Sequence, residues 1–368
     1  MMNTAQPNEW NLNCPLPLAG HDTVQLAHGG GGRLMRELIE RMFLPAFAGE
    51  ASPQPSPRPS PRGRGSVVPH DSAVLDTAGG RLAFTTDSFV VSPLIFPGGD
   101  IGKVAVYGTV NDLAMAGAKP QFLSAAFILE EGLEMETLRR VVTSMRRAAD
   151  EVGVRIVTGD TKVVDRGKAD GVFINTAGIG TVPDGVDISP ARVSPGDAIL
   201  VSGDLGRHGM AVMSVREGLE FEGALQSDCA SLAGLVEAML SAGGDIHCLR
   251  DLTRGGLAAA LCEIAEDAAV GMVLEEAAIP VAEPVAAACE LLGLDPLYVA
   301  NEGRLVAFVP AEAADEVLQI IRSHPAAEAP AVIGTVTAEH AGTVELRSPL
   351  GGGRIVDLPV GEQMPRIC

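Results

Sequence analysis

The sequence predicts an α/β protein built from two layered domains and a C-terminal tail. Segments that alternate apolar and polar side chains are followed by helical segments, and this order starts again near Pro195. Such alternation of strands and helices is typical of sheets with helices packed on them. A turn-rich stretch over 183–196 separates the two series. We expect a first domain over residues 23–185, a second over 190–346 and a flexible tail over 347–368.

The periodicity of the first domain predicts an alternating order of strands and helices. One helix ends at Gly117, before Pro120, and the next ends at Gly153, because glycine and proline interrupt helical geometry. This last helix is amphipathic, with one apolar face made by Leu138, Val141, Val142, Met145 and Ala149. The predicted helices cover residues 34–42, 101–117 and 134–153. The predicted strands cover 81–91, 121–130 and 155–164, and 171–182 is one strand or a strand pair.

The second domain repeats this plan. Residues 246–268 contain a strand, a glycine turn and a helix in immediate succession. Further strands are predicted over 197–203, 304–310 and 331–336, with helices over 209–219 and 311–322.

Two segments do not fit the layered plan. Residues 1–22 are interpreted as a disordered leader. Residues 51–70 repeat Ser-Pro with arginine and form a disordered insertion, since such a composition buries little apolar surface. A tolerated surface insertion is favoured over a docking motif.

Composition limits the classes of function. The 368 residues carry a formal charge of −20, which argues against nonspecific binding to nucleic acid or to an anionic membrane. Nucleotides remain possible ligands, because carboxylates reach phosphates through Mg²⁺. No two of the six cysteines have CxxC spacing, and neither a signal peptide nor a membrane-spanning run is evident. We expect reduced thiols and a cytoplasmic protein.

A glycine run offers one candidate phosphate site. Gly29, Gly30, Gly31 and Gly32 precede a predicted helix, so several N–H groups and the helix N-terminus would face an anion. The run lacks the Lys-Ser/Thr ending of a P-loop. The alternative is an ordinary linker.

Acidic and amide side chains supply a candidate metal site. Asp87 closes a strand, Asn111 and Asp112 interrupt an apolar helix, and Asp160 is placed at a strand end. Ligands of α/β proteins bind where strands lead into loops, and Mg²⁺ prefers such oxygen ligands. Each aspartate alone has a simpler interpretation as a cap or turn residue.

Four further residues are candidates near the same strand ends. Thr158 and Lys162 flank Asp160, and Lys162 is either a solvated cation or a group that binds phosphate or moves protons. Asp251 opens a glycine turn before a helix, as a cap or as part of an anion site. Glu302 precedes a strand, as a turn residue or a carboxylate base.

The chain ends in Cys368. Residues 351–368, if extended, span roughly 55 Å, which lets a terminal thiol travel between sites. The alternatives are an inert buried thiol and a ligand in a metal chaperone, for which no second thiol or histidine lies in the tail.

The sequence contains the motifs AHGGGGR, FTTDSFVVSPLIFPGGDIGK, GTVNDLAMAGAKP, FILEEGL, TGDTKVV, RDLTRGG, ANEG and the terminal PRIC. Together these motifs resemble the HypE family of hydrogenase maturation proteins. This family belongs to the superfamily of aminoimidazole ribonucleotide synthetase and selenophosphate synthetase. The resemblance covers about residue 22 to the end and implies the two-domain fold of that superfamily. It also implies a homodimer formed by the N-terminal domains.

The resemblance implies a specific reaction. Cys368 would receive a carbamoyl group from a HypF-type carbamoyltransferase, and ATP would drive its dehydration to a thiocyanate. The cyanide would pass to a HypC–HypD type iron complex. Asp87, Asp112 and Asp160 would hold Mg²⁺, while Asn111, Thr158, Asp251 and the loop Gly29–Gly32 would bind ATP. Glu302 and Lys162 would move protons, with Glu302 as the base.

Two other functions are kept open. The first is an ATP-using enzyme of the same superfamily with a free substrate, which would not need Cys368. The second is a non-enzymatic carrier, which would not need Asp112 or Glu302.

Overall fold

The computed structural model describes residues 23–47, 70–219, 225–359, 361 and 364–368. The predicted leader and all of the predicted insertion except His70 lie outside these residues. His70 itself packs near Arg250, and burial lowers the pKa of its imidazole to about 3. Among the described residues, no helix has both the length and the apolar composition that crossing a bilayer requires.

The first domain is a five-stranded sheet with helices on one side. Its helices are α1 (Arg33–Leu38), α2 (Leu44–Phe47), α3 (Ile101–Met115) and α4 (Met135–Val152), and a π-helical turn joins α1 to α2. The strands of the five-stranded sheet are β1 (Ala73–Thr77), β2 (Gly80–Phe89), β5 (Lys119–Glu130), β6 (Arg155–Val164) and β7 (Val172–Val182). The short strands β3 (Ile95–Phe96) and β4 (Gly99–Asp100) form a separate antiparallel pair.

The sheet order is β1-β2-β7-β5-β6. Only β5 and β6 run parallel, since α4 crosses between them, and the other neighbours are antiparallel. Helix α3 packs on β2 and β7 along one side, which we call the inner face. The opposite side, the outer face, leaves Leu75, Phe84 and Ile128 exposed.

The second domain is a seven-stranded sheet in the order β14-β13-β10-β12-β8-β11-β9. Its strands are β8 (Asp197–Val201), β9 (Cys248–Asp251), β10 (Gly271–Glu275), β11 (Leu305–Pro310), β12 (Ala331–Thr337), β13 (Val344–Arg347) and β14 (Gly353–Val356). Its helices are α5 (Arg207–Glu217), α6 (Ala233–Ser241), α7 (Gly256–Ala268), α8 (Glu283–Leu292) and α9 (Ala314–Ser323).

Helix α3 joins the two domains. Asp100 caps it by accepting hydrogen bonds from the N–H groups of Gly102 and Lys103. Nearly every residue of the helix is buried, because it contacts the first sheet on one side and β9 and α6 on the other. Polar groups on α3 therefore lie at the domain junction, where water is largely excluded.

The structure differs from the prediction of a flexible tail over 347–368. Residues 353–356 form β14, which pairs antiparallel with β13 at the edge of the second sheet. At the chain end, Met364, Ile367 and Cys368 are buried. The glycines that suggested mobility precede a strand, which burial of Val356 and Leu358 anchors.

The amphipathic prediction for α4 is also corrected at one position. Val141, Met145 and Ala149 are buried as expected, whereas Val142 is 46% exposed. The buried stripe of this helix is narrow, because α4 packs mainly against α3 and makes fewer contacts with β6.

Candidate functional site

Three carboxylates meet where the domains join. Asp112 projects from α3, Asp71 lies two residues before β1, and Asp251 ends β9 of the second domain. One ligand oxygen from each lies within 4.8 Å of the others. We call these three residues the carboxylate cluster.

Burial and mutual repulsion shape this cluster. The pKa of Asp112 is raised well above its usual range, by burial first and then by the charges of Asp251, Asp71 and Asp87. Burial and the charge of Asp71 likewise raise the pKa of Asp251. Burial raises the pKa of Asp71 to about 6, although Arg250 lies 2.9 Å from its Oδ1.

The cluster fits a hard divalent cation. Among the described residues, Asp71 Oδ2 and Asp251 Oδ2 are buried without a hydrogen-bond partner. Asp112 Oδ2 accepts a hydrogen bond from Thr85 Oγ at 2.7 Å, which fixes its orientation. Buried, unpaired carboxylate oxygens are costly unless a cation satisfies them, and Mg²⁺ favours such ligands.

Asp87 lies near this cluster on the inner face. Its Oδ1 accepts from the N–H of Ser88 at 2.7 Å and lies 3.9 Å from Nη2 of Arg254. Burial raises the pKa of Asp87, and Arg254 opposes that shift. Arg254 is therefore the cation that faces this edge of the site, in the turn before α7.

Glu302 is buried at 2% exposure, in the turn that leads into β11. Asn301 holds that turn, since its Oδ1 accepts from Gly206 N at 2.7 Å and its Nδ2 donates to Leu252 O. Burial and the charges of Asp251, Asp87 and Asp228 raise the pKa of Glu302 well above its usual range. A carboxyl group whose pKa is raised in this way holds a proton more tightly and is a stronger base once ionised.

The terminal thiol lies beside Glu302. Cys368 is 8% exposed, and Glu302 is among the groups that act on the pKa of its thiol, so the two side chains lie close together. Burial raises the pKa of this thiol well above its usual range, while Arg254 opposes the shift. In this position Cys368 is a protonated, enclosed thiol, so it is a poor nucleophile toward other proteins.

Thr158, Asp160 and Lys162 are not part of this constellation within one chain. The sequence placed Asp160 at a strand end, but β6 runs through it to Val164. Across the sheet, Asp160 is aligned with Ala126, Asn175 and Ser88 in turn. Neighbouring strands are about 4.8 Å apart, so Asp160 lies roughly 14 Å from Ser88, three strands away. All three predicted residues are exposed.

The face of the sheet explains this correction. Thr176 is fully buried, and its hydroxyl is hydrogen-bonded to Thr109 of α3, so Thr176 lies on the inner face. Asp87 is aligned with Thr176 on the neighbouring strand and therefore projects to the same face. Asp160 is displaced by one residue in the register and projects to the outer face. There it pairs with Lys162, whose Nζ lies 3.3 Å from Asp160 Oδ2.

Asn111 connects the two domains, and its predicted role in binding ATP stays a prediction. Its Nδ2 donates to Ala230 O at 3.1 Å and its Oδ1 accepts from Leu232 N at 2.7 Å. Both ends of the amide are thus used to connect α3 to the second domain, and Asn111 does not face the carboxylate cluster as a ligand.

The glycine run packs against the other domain. Gly31 has φ +74°, and a Cβ there would lie 2.8 Å from Arg254 Cβ. A Cβ on Gly32 would lie 2.3 Å from the carbonyl oxygen of Pro359. Glycine is required here for close backbone contact with Arg254 and the tail. Phosphate binding by Gly29–Gly32 stays a prediction.

Sequence reasoning missed Asp71 and Arg254 as site residues. Asp71 directly follows the Ser-Pro segment, whose low complexity obscured its position before a strand. Arg254 belongs to the RDLTRGG motif, in which sequence reasoning considered only Asp251, as a helix cap or as part of an anion site. The structure starts α7 only at Gly256, so Asp251 is a strand residue that faces the cluster.

Comparisons with known proteins agree with this architecture. Residues 69–182 match the AIR synthase related protein N-terminal domain, and 194–347 match the C-terminal domain. The chain is 53% identical to the carbamoyl dehydratase HypE of Azotobacter vinelandii, over 94% of this chain and 97% of that protein. It is similar to a HypE structure in complex with ATP (47% identity, TM-score 0.76, covering 94% of this chain and 100% of that chain).

A HypE–HypF complex contains a further similar chain, at 46% identity and TM-score 0.79, covering 88% of this chain and 99% of that chain. Such identity over nearly the full length, together with the two matched domains, decides the relationship. The chain belongs to the HypE family of hydrogenase maturation proteins, with the two-domain fold of AIR synthase related proteins.

Proposed function

We propose that this protein uses ATP to dehydrate an S-carbamoyl group on Cys368 to an S-cyano group, as a carbamoyl dehydratase. The cyano group would supply the cyanide ligand of a [NiFe]-hydrogenase iron centre. The observation that supports this most is the terminal thiol enclosed near Glu302, Arg254 and Asp87. A free-substrate enzyme would have no use for a chain end in that place.

The chemistry balances with one ATP. The carbamoyl oxygen attacks the γ-phosphorus, the bond to ADP breaks, and one N–H proton is lost. The C–O bond then breaks, phosphate leaves with the oxygen, and the second N–H proton is lost as the nitrile forms. Phosphorylation makes a poor leaving group a good one.

The residues at the chain end suit this sequence. Glu302 is within hydrogen-bonding reach of Cys368 and would take a proton from the carbamoyl nitrogen. Arg254 would stabilise negative charge on the oxygen during phosphoryl transfer. Asp71, Asp112 and Asp251 would hold Mg²⁺, which neutralises phosphate charge when bound.

Burial of the thiol requires two positions of the tail. A carbamoyltransferase cannot reach a thiol that is 8% exposed, so Cys368 must leave the site to be loaded. The same holds for delivery to an iron-binding acceptor. We assign a HypF-type protein as the donor and a HypC–HypD type complex as the acceptor, and the free, buried cysteines are consistent with reducing cytoplasm.

A homodimer would complete the nucleotide site. The outer face combines exposed apolar side chains with Thr158, Asp160 and Lys162, a combination expected of a surface that a partner covers. A second copy of the chain would bring these polar residues toward its site, so Lys162 would act on protons across the dimer.

Replacing Phe84 by glutamate is expected to separate such a dimer. Phe84 lies in the middle of β2 on the outer face and is 42% exposed. An unpaired charge placed in a closed interface weakens the association of the two copies, because the charge loses its hydration without gaining a partner. Light scattering after size exclusion should change from a dimer toward the 38.0 kDa chain mass. Val142→Glu, on α4, is the matched control and should leave the mass unchanged.

Replacing Asp112 by asparagine is expected to stabilise the metal-free protein and to abolish its response to Mg²⁺. Asparagine keeps an acceptor for Thr85 Oγ but removes one repelling charge. Relief of about 1 kcal/mol raises Tm by roughly 1–2 °C in a protein of this size. Mg²⁺ at 100 times its Kd should add about 2.7 kcal/mol to wild type and nothing to the variant.

Thermal melts with and without Mg²⁺ measure both effects. Asp184→Asn, at an exposed loop, removes the same charge elsewhere and should retain the Mg²⁺ response. Equal stabilisation of Asp112→Asn and wild type by Mg²⁺ would rule out the carboxylate cluster as the metal site.

Intact-protein mass spectrometry tests the function itself. The protein is incubated with carbamoyl phosphate, a HypF-type carbamoyltransferase, ATP and Mg²⁺. Gain of a carbamoyl group, followed by ATP-dependent loss of one water, supports the proposal. If an active partner never loads the protein while ATP is consumed with a free substrate, the superfamily alternative is correct.

A further inference from the structure

A buried histidine binds the penultimate residue of the chain. His208 of α5 is fully buried, with Nε2 at 2.8 Å from Ile367 O and Nδ1 at 2.8 Å from Ser227 Oγ. A carbonyl only accepts, so Nε2 carries the hydrogen and Nδ1 accepts from the serine. Phe96 packs edge-on against the ring at 5.2 Å, which holds its plane.

An arginine on the same helix binds the two preceding residues. Nη1 of Arg216 donates to Pro365 O at 2.8 Å, and Nη2 donates to Arg366 O at 2.8 Å. Nε and Nη2 also donate to Ser92 O, at 3.1 and 2.6 Å. One planar guanidinium therefore connects the second domain, the segment after β2 and the chain end.

Backbone groups of the first domain complete the contact. Val90 N donates to Cys368 O at 3.1 Å, and Ser92 N donates to Arg366 O at 3.1 Å. Arg366 adopts a left-handed φ of 57°, which is uncommon outside glycine and turns the last two residues toward Glu302.

We propose that His208 and Arg216 form a tail latch, a pair of positioning residues that holds the chain end closed by its main-chain carbonyls. This inference rests on the proposed function. Among the described residues, the hydrogen bonds of His208 and Arg216 to the tail are to main-chain carbonyls and not to the thiol, so the latch should hold a free, carbamoylated or cyanated Cys368 equally well. The latch fixes how much of the time the thiol is in the site, whatever group it carries.

The latch has opposite effects on the two halves of the cycle. Dehydration needs the closed tail, because Glu302 is buried beside it. Loading needs the open tail, because the closed thiol is enclosed. A weaker latch therefore slows the first process and leaves the second unchanged or faster. A general loss of structure would slow both.

Alkylation of Cys368 measures closure without partner or ATP, so it is independent of the proposed reaction. The whole protein is treated with N-ethylmaleimide and digested with a glutamate-specific protease, and the peptide 363–368 is quantified over time. Each lost hydrogen bond should raise the rate roughly fivefold, and loss of the charged donor at least tenfold. We therefore expect about fivefold for His208→Leu and at least tenfold for Arg216→Ala.

Conservative variants separate closure from stability. In His208→Gln an amide N–H replaces the Nε2 donor, so most of the slow alkylation should return. Glu217→Ala, an exposed neighbour of Arg216 on α5, should alkylate like wild type. Thermal melts identify variants with lowered stability. If His208→Leu is among them, the comparison of its alkylation rate with that of His208→Gln shows whether the N–H donor at this position keeps the tail closed.

Loading and dehydration are then timed separately in the same variants. The loading rate should rise together with the alkylation rate, because both depend on the open tail, while dehydration per loaded Cys368 falls only by the fraction of closed tail that is lost. Unchanged alkylation in both His208→Leu and Arg216→Ala would overturn the latch, as would a parallel fall of loading and dehydration. Wild type that never loads would overturn the proposed function instead, and the alkylation result would still stand.

Discussion

Alanine in place of Cys368 is expected to abolish both carbamoyl loading and cyanide formation. The thiol is the only atom of this residue that can carry the group, and the main-chain contacts of the tail do not depend on it. Folding should therefore be unaffected. Intact mass after incubation with the carbamoyltransferase, carbamoyl phosphate and ATP should show the unmodified chain.

Cys289→Ala provides the matched control. Cys289 is another free and buried cysteine, on α8, and its thiol has no part in the site. This variant should load and dehydrate like wild type. A carbamoyl adduct on Cys368→Ala would show that another residue carries the group, and the role of the chain end would have to be abandoned.

Glutamine in place of Glu302 is expected to leave loading intact and to slow dehydration by about 10²–10⁴-fold, the usual contribution of a positioned base. The amide has nearly the same shape but cannot take the proton from the carbamoyl nitrogen. Quenched samples analysed by intact mass should accumulate the carbamoylated chain. Glu290→Gln, an exposed glutamate on α8, should behave as wild type.

The pH dependence identifies the base independently. The pKa of Glu302 is raised above its ordinary 4.5 by burial and by Asp251, Asp87 and Asp228. The reactive form is the carboxylate, so the dehydration rate of wild type should rise with pH until Glu302 is ionised. The residual rate of Glu302→Gln should lack that rise. If the same rise persists in the variant, the base is another group.

Much of the secondary structure follows from periodicity alone. Residues 135–152 form the helix that the sequence predicts, because their apolar residues recur at the period of a helix, and residues 155–164 form the predicted strand, which is rich in β-branched residues. Segments 233–241 and 283–292 were not predicted as helices. They are short and rich in small residues, so their pattern has little contrast.

The candidate site is predicted less completely, for a physical reason. Sequence features singled out Asp112 in an apolar helix, Asp251 and Glu302 in turns beside strands, and Cys368 at the chain end. The pattern of a strand does not say which of its faces a helix covers, so Asp160 was grouped with Asp87 although they project to opposite faces. The interdomain role of Asn111 depends on partners more than a hundred residues away.

The main-chain character of the tail contacts has a consequence for how this chain end can vary. Carbonyl groups are common to all amino acids, so these hydrogen bonds do not depend on the side chains of residues 365–367, which contribute separately through the buried Ile367 and the ion pair of Arg366 with Asp170. A change in length is different, because one inserted or deleted residue moves the thiol by about 3.3 Å relative to Glu302. A purification tag fused after Cys368 would likewise extend the chain past the oxygen that Val90 binds. The number of residues in the tail therefore sets the position of the thiol, and we expect tail length to be constrained more strongly than the identity of its side chains.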